Sequence, residues 1–332
     1  MSNANMALAV DQLSVRFASH AGLVQVLDQV SLTLAPGKTL GIVGESGSGK
    51  SVLARTLLGL THELPTAHVE GQIHLNGRDL SHARPADWRA VRGREVAMVF
   101  QDPMTSLNPV LTVGEHLVQV LRQHQSLSRA QALAHASELL AQVGIPDPVA
   151  RLREYPHRLS GGMRQRVVIA IALACRPAVL IADEPTTALD VTVQAQVIDL
   201  LRDLQGRLGM AMVFITHNLG LVREVCDDVV VMYAGQVVER GTVDEVISSP
   251  NMPYTRKLLQ SVPRLDGPIH ARLAAISGAP PKLDQLPTGC RFQARCDCAR
   301  AACLEAPPWQ DISARSGYRC WLPITSTQEC HD

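Results

Sequence analysis

"GIVGESGSGKS", residues 41–51, runs from an apolar stretch into glycine and serine and ends on Lys-Ser. Gly44, Glu45, Ser46, Gly47, Ser48, Gly49, Lys50 and Ser51 fit the spacing G-x-x-x-x-G-K-[ST]. Read mechanically, the glycines let the backbone turn tightly and bring its N–H groups close to an anion. A helix starting near Lys50 aims its positive dipole end at the same place. Lys50 then reaches terminal phosphates and Ser51 is placed to ligate Mg²⁺. The plainer alternative is a glycine turn capped by serine. The pattern arises by chance in on the order of one such chain per hundred, and a strand before it with a helix after it favours the phosphate loop.

Working outward, "LAVDQLSVRF" (8–17), "VSLTL" (30–34) and "QIHLNGRDL" (72–80) alternate in polarity, the last around an Asn76-Gly77 hairpin signal. These predict antiparallel strands covered on one face. "LGIVG" (40–44), "VAMVF" (96–100), "VLIAD" (179–183) and "MVFIT" (212–216) lack alternation and are rich in Val and Ile. They predict strands buried on both faces, as in a parallel sheet. Between the last two, Val193, Val197, Leu200, Leu201, Leu204 and Leu208 mark one helical face. Strand–helix–strand predicts an α/β core. Residues from about 104 to 160 show helical spacing and no comparable strand run, which predicts a helical insert. From Pro250 onward lie 10 of the 20 prolines, which predicts a separate, loop-rich appendage without long helices.

Composition narrows the class. The chain has 332 residues, 46% of them apolar, and its 31 basic and 31 acidic residues cancel. No overall field favours nucleic acid or anionic lipid. The longest nearly pure apolar run, "VVIAIALAC" (167–175), is far short of a membrane span. "MSNANMALAV" lacks the flank and apolar stretch of a secretory signal. The expectation is a cytosolic chain that does not cross a membrane by itself.

Two further stretches carry chemistry. "VLIADE" ends in Asp183-Glu184, adjacent acids that would be costly if buried without partners. At an exposed strand end, Asp183 can serve a metal shell and Glu184 can activate or orient water; alone, the pair also reads as a solvated strand end. "LSGGMRQR" (159–166) sets Ser160, Gly161 and Gly162 just before a helical run, a second anion-receptive helix start with a serine cap.

The last string resembles the signature motif of ATP-binding cassette (ABC) ATPases. Around it Gln101 in "VFQDP" resembles the Q-loop, "TALD" ending in Asp190 the D-loop, and His217 in "FITHN" the switch histidine. Phe17 is similar in position to the aromatic residue that stacks on adenine, though it also reads as core. The resemblance covers about residues 7–250, taken as the nucleotide-binding domain, with its helical subdomain at about 104–160 and a cysteine-containing extension at 251–332. It implies a head-to-tail dimer with ATP between the Lys50 loop of one subunit and the Ser160–Gly162 loop of the other. Nucleotide contacts would come from Phe17, Gly44, Glu45, Ser46, Gly47, Ser48, Gly49, Lys50, Ser51, Val52, Gln101, Ser160, Gly161, Gly162, Asp183 and Asp190. Mg²⁺ would take Ser51, Gln101 and Asp183, and catalysis Glu184, His217, Gln101 and Lys50. One departure is Asn218, where many relatives carry Asp after the switch histidine.

"QDPMTSLNP" (101–109), "NMPYTRKLL" (251–259) and "GCRFQARC" (289–296) further resemble ATPase subunits of bacterial oligopeptide and dipeptide importers. That implies a second, related ATPase or a second copy, two membrane-spanning permeases, an extracytoplasmic binding protein, no nucleic acid, and a peripheral place on the cytoplasmic side of the inner membrane. Nickel, glutathione or another substrate in the same importer type is the alternative, and a soluble non-transport ABC ATPase the more distant one. Six of the eight cysteines, Cys290, Cys296, Cys298, Cys303, Cys320 and Cys330, crowd the last 43 residues. In a reducing compartment such crowding points to metal or plain thiols before disulfides. Cys290, Cys296, Cys303 and Cys320 match a subfamily pattern linked with a [4Fe–4S] cluster, the normal ligation for which is four thiolates. Zinc and bare thiols remain open, with Cys298 a competing ligand.

Overall fold

The computed structural model describes residues 5–20, 22–187, 189–261 and 276–321, so Cys330 lies outside the described residues. Two compact units interleave along the sequence. One gathers residues up to Leu8, Leu34–Lys38 and Leu75–Ile215; the other holds Ala9–Thr33, Thr39–His74 and the chain from Thr216 onward.

The first unit is organised by three parallel strands, Val96–Val99, Val179–Asp183 and Ala211–Thr216, in register at Val96 with Val179 and Val179 with Ala211. Every residue in them is buried. That is why their sequences are continuous apolar runs: a parallel strand covered on both faces has no side to leave polar. Between residues 100 and 160 the unit carries helices, the longest being Val113–His124 and Arg129–Gln142. Each starts on a reciprocal cap, Thr112 with Glu115 and Ser128 with Gln131, and losing such a cap costs about 1 kcal/mol.

In the second unit, Leu8–Ser19 and Gly22–Leu34 lie side by side. Gln12 N–H donates to Ser31 Oγ at 2.9 Å and Gln29 N–H to Ser14 Oγ at 3.0 Å; one number rises as the other falls, so the strands are antiparallel. Thr39–Val43 runs parallel to Asp228–Tyr233, with Leu40 opposite Asp228 and Val43 opposite Val231. Asp228–Tyr233 returns as Gln236–Thr242 through Ala234 and Gly235, both at positive φ (45° and 85°). This hairpin has no counterpart in the sequence reading, because Ala-Gly is not among the usual two-residue turn signals.

The tail read from the sequence as a separate appendage is part of this unit's core. Gly317–Tyr318 adds to the sheet beside Glu239 and Arg240, and Gln310–Asp311 pairs outside it. Phe292, Cys290 and Cys303 are buried in the same cluster as Tyr233 and Tyr254. Tyr233 and Tyr254 pack at 4.6 Å between centroids, and each meets the Phe292 ring edge-on or tilted at 5.3 Å. Arg291 ties the tail to the N-terminal strands, pairing with Asp28 and donating to Ala234 O. Proline density forbids long helices here, but it does not stop a loop-built segment from supplying core.

Glu239, 1% exposed, accepts the N–H groups of Asn251 (2.6 Å) and Met252 (3.2 Å), which fixes the approach to the helix Pro253–Gln260. Burial raises its carboxyl above the ordinary value despite those bonds. A carboxyl raised on folding contributes stability that is whole below the unfolded-state pKa and is lost as pH climbs through the folded one. Urea midpoints of the unaltered chain should therefore fall relative to Glu239→Gln as pH rises above about 4.5. A gap between the two proteins that stays constant over that range would contradict this.

Candidate functional site

In the second unit the phosphate-loop pattern is a strand–loop–helix. Thr39–Val43 is wholly buried and the helix Lys50–Leu57 follows. Gly44 has φ +153°, and a Cβ there would stand 2.2 Å from Met232 O, so only glycine lets the loop leave its strand. Gly49, φ +101°, begins the helix with no side-chain cap. Ser46 and Gly47 are exposed, while Ser51 and Val52 are half-buried. Gly235 N–H donates to Ser48 O at 3.0 Å and pins the loop from the hairpin.

Lys50 is 5% exposed, and its Nζ folds back to donate to Gly44 O (2.8 Å), Glu45 O (2.9 Å) and Ser48 Oγ (3.5 Å). The ammonium thus sits inside its own loop, where a buried charge needs such acceptors. Glu45 differs from the expected nucleotide contact. Its N–H donates to Tyr254 Oη at 2.9 Å, and its carboxylate takes both terminal nitrogens of Arg295 at 2.7 and 2.9 Å. Burial holds the Tyr254 phenol well above its ordinary value, so it stays protonated. The sequence reading assigns no role to Arg295, Tyr254 or Tyr233. The available signal is a half-buried carboxylate in a loop read as anion-binding, which needs a cation from elsewhere.

Also in this unit, Phe17 is half-buried near the end of its strand, and His217 is exposed beyond Thr216. Asn218 begins the helix Leu219–Val225: its Oδ1 accepts Gly220 N–H at 2.9 Å, and its own N–H donates to Thr216 Oγ1 at 3.0 Å. An aspartate could accept the same Gly220 N–H, so nothing in the structure explains the departure from it.

In the first unit, Asp183 ends its strand at 4% exposure. Glu184 follows in a left-handed conformation, φ +45°, with its N–H on Ile215 O at 2.9 Å. That conformation is uncommon for a side chain with a Cβ. It turns the carboxylate out of the strand's alternation, where Oε2 accepts Gln101 Nε2 at 3.0 Å and Thr187 Oγ1 at 2.8 Å. Two expected catalytic residues, Gln101 and Glu184, are thus brought together, and Thr187 joins them without a sequence signal.

Ser160 caps the helix Gly161–Leu173 by accepting Met163 N–H at 3.3 Å. Asp190 caps Val191–Leu208 by accepting Val193 N–H at 2.9 Å. The two helix starts meet at Gly162, where a Cβ would come within 2.6 Å of Val193 Cγ1. Packing alone therefore demands that glycine, whereas Gly161 meets nothing nearer than Leu189 at 3.7 Å. Val191, beside Asp190, is 83% exposed.

Ser51, Gln101 and Asp183 offer a hydroxyl, an amide oxygen and a carboxylate, the hard donors that suit Mg²⁺. The tail is different. Cys290, Cys296, Cys303 and Cys320 are free thiols in one apolar cluster, with Cys290 N–H bonded to Cys303 O at 2.9 Å. Burial pushes the Cys290 and Cys296 thiols up, away from the thiolate a metal needs. Among the described residues no group of three or more His, Cys, Asp or Glu side chains is arranged to hold a metal ion.

Comparison with known proteins agrees with both halves of this picture. Residues 27–187 match the profile of the ABC transporter family, and residues 238–303 that of the oligopeptide/dipeptide transporter C-terminal region. The chain is 46% identical over 318 residues to the dipeptide transport ATP-binding protein DppD of Bacillus subtilis, covering 95% of this chain and 94% of that protein. It is 46% identical over 321 residues to the oligopeptide transport ATP-binding protein OppD of Salmonella typhimurium, covering 97% and 95%. Among solved structures, the ATP-binding cassette MJ0796, a dimer in a post-hydrolysis state bound to ADP and Pi, aligns with a TM-score of 0.63 at 26% identity, over 71% of this chain and 98% of that one.

Proposed function

Because the chain belongs to the ATP-binding subunits of ABC peptide transporters, we propose that it hydrolyses ATP to power import of di- and oligopeptides. The observation that carries this is the glycine loop itself, bent at Gly44 and closed on a buried Lys50 in front of an uncapped helix. Without a side-chain cap, the first-turn N–H groups and the dipole are directed to an anionic ligand. Lys50 exchanges its loop carbonyls for the terminal phosphates. Phe17 stacks on the base, and Gly44 to Val52, apart from the side chain of Glu45, lines the phosphates.

We assign Mg²⁺ to Ser51, Gln101 and Asp183; when bound it screens the charge of the phosphates. Glu184 accepts the proton of, or orients, the attacking water, and the hydrogen bonds from Gln101 and Thr187 hold its carboxylate for that task. His217 contacts the γ-phosphate. Ser160, Gly161 and Gly162 of a second ATP-binding subunit, whether another copy or a related chain, close over the nucleotide, with Asp190 at the seam.

No helix among the described residues is long and apolar enough to cross a membrane. Membership of the peptide-transporter ATP-binding subunits supports a place on the cytoplasmic face of the inner membrane, beneath two permease subunits that receive peptide from an extracytoplasmic binding protein. Purified chain given Mg²⁺-ATP should release phosphate and stop when the cation is chelated; turnover unaffected by chelation would contradict the metal assignment.

The finer reading of the tail is a [4Fe–4S] cluster on Cys290, Cys296, Cys303 and Cys320. Its support is the subfamily pattern of four cysteines, all of them free thiols; among the described residues their side chains are not gathered as a metal site. Anaerobically purified protein should then be brown and contain about four iron atoms per chain. Colourless, iron-free protein after reconstitution would rule the cluster out.

A further inference from the structure

Resting on the ATP-binding reading above, we propose that Arg295 is a positioning residue of the nucleotide site: it neutralises and fixes Glu45 of the phosphate loop, so that the C-terminal segment belongs to the ATP-binding machinery. A carboxylate in the second position of such a loop is a liability, because a multiply charged triphosphate must come to rest against the same backbone. The structure answers that liability by holding Glu45 through each of its polar groups. The carboxylate takes Arg295 Nη1 at 2.7 Å and Nη2 at 2.9 Å, the N–H donates to Tyr254 Oη at 2.9 Å, and the carbonyl accepts Lys50 Nζ at 2.9 Å.

Arg295 is committed to this task. It is 6% exposed, and its remaining N–H groups go to Ser277 O from Nε (2.9 Å), Tyr233 Oη from Nη1 (3.2 Å) and Ile276 O from Nη2 (3.3 Å). All five guanidinium donors are used, and the group lies over the Tyr233 and Phe292 rings at 5.8 and 5.9 Å. The backbone is held as well: Lys257, on the helix Pro253–Gln260, donates Nζ to Arg295 O at 3.0 Å while pairing with Asp297 at 2.7 Å. A fork placed so rigidly cannot swing to a phosphate. Its effect on ATP passes through Glu45, by cancelling that charge and drawing the side chain away from the loop's mouth.

The test reads charge, which a merely structural role would not reproduce. Mg²⁺-ATP is titrated into the full-length protein by calorimetry, and steady-state ATP turnover gives KM and kcat. Arg295→Ala should raise the ATP Kd and KM about tenfold with kcat changed less than about twofold. Adding Glu45→Gln to that variant should restore Kd to within about threefold of the unaltered protein. If Arg295→Ala does not fold, Arg295→Gln carries the same expectation, since it keeps hydrogen-bond donors but not the charge. Unchanged Kd and KM in folded Arg295 variants, or a double variant as weak as the single one, would overturn the proposal while leaving ATP binding by the unaltered chain intact. An unaltered chain that binds no ATP would overturn the underlying reading instead, and this proposal with it.

Discussion

Glu184→Gln should lower ATP turnover by about three orders of magnitude while ATP affinity stays within about threefold. Glutamine has the same length, and its carbonyl oxygen can still accept from Gln101 Nε2 and Thr187 Oγ1, now at 3.0 and 2.8 Å from Glu184 Oε2. The left-handed backbone at Glu184 and its N–H bond to Ile215 O do not depend on the side-chain charge. What the substitution removes is a group able to accept a proton from water in the transition state. Single-turnover phosphate release beside equilibrium ATP binding separates the two effects. Undiminished turnover would remove Glu184 from the chemistry.

Lys50→Ala should act on the other side of that division, by weakening ATP binding about a hundredfold and abolishing measurable turnover. That magnitude follows from hydrogen bonds to charged groups, worth about 1.5–3 kcal/mol each, of which the proposed role would give the ammonium at least one with a terminal phosphate. The fold should survive, because the loop keeps its attachments at Ser48 O to Gly235 and at Glu45 N–H to Tyr254 Oη. Calorimetric titration with ATP, with circular dichroism as a check on folding, decides it. Affinity within threefold of the unaltered chain would contradict the role given to Lys50.

What can be read from the sequence is what lies within one short stretch. Strand, glycine turn and Lys50 stand within about a dozen residues, and each is specified by its own local chemistry: continuous apolar residues, positive φ, an uncapped helix start. The strand Val179–Asp183 is equally legible, because burial on both faces leaves no alternation. The strand Asp228–Tyr233 follows the same rule but is hidden by a hairpin turn at Ala234-Gly235 that carries no usual signal.

Legibility fails where distant residues meet. Gln101 and Glu184 are 83 residues apart, and their hydrogen bond leaves no trace in either stretch. Glu45 and Arg295 are 250 apart. The prolines of the tail argue against long helices, yet they hide that Phe292, Cys290 and Cys303 complete a core around Tyr233 and Tyr254. Local propensity says which conformations a segment can adopt, whereas what it packs against is decided by the rest of the chain.

The most direct measurement is uptake of a labelled dipeptide into proteoliposomes that hold the permease subunits, with this chain, its partner ATPase and ATP supplied on the face opposite the binding protein. Accumulation should require ATP and should cease when the chain carries Glu184→Gln. Uptake that proceeds equally with the variant or without ATP would contradict the assignment of this chain as the motor of peptide import.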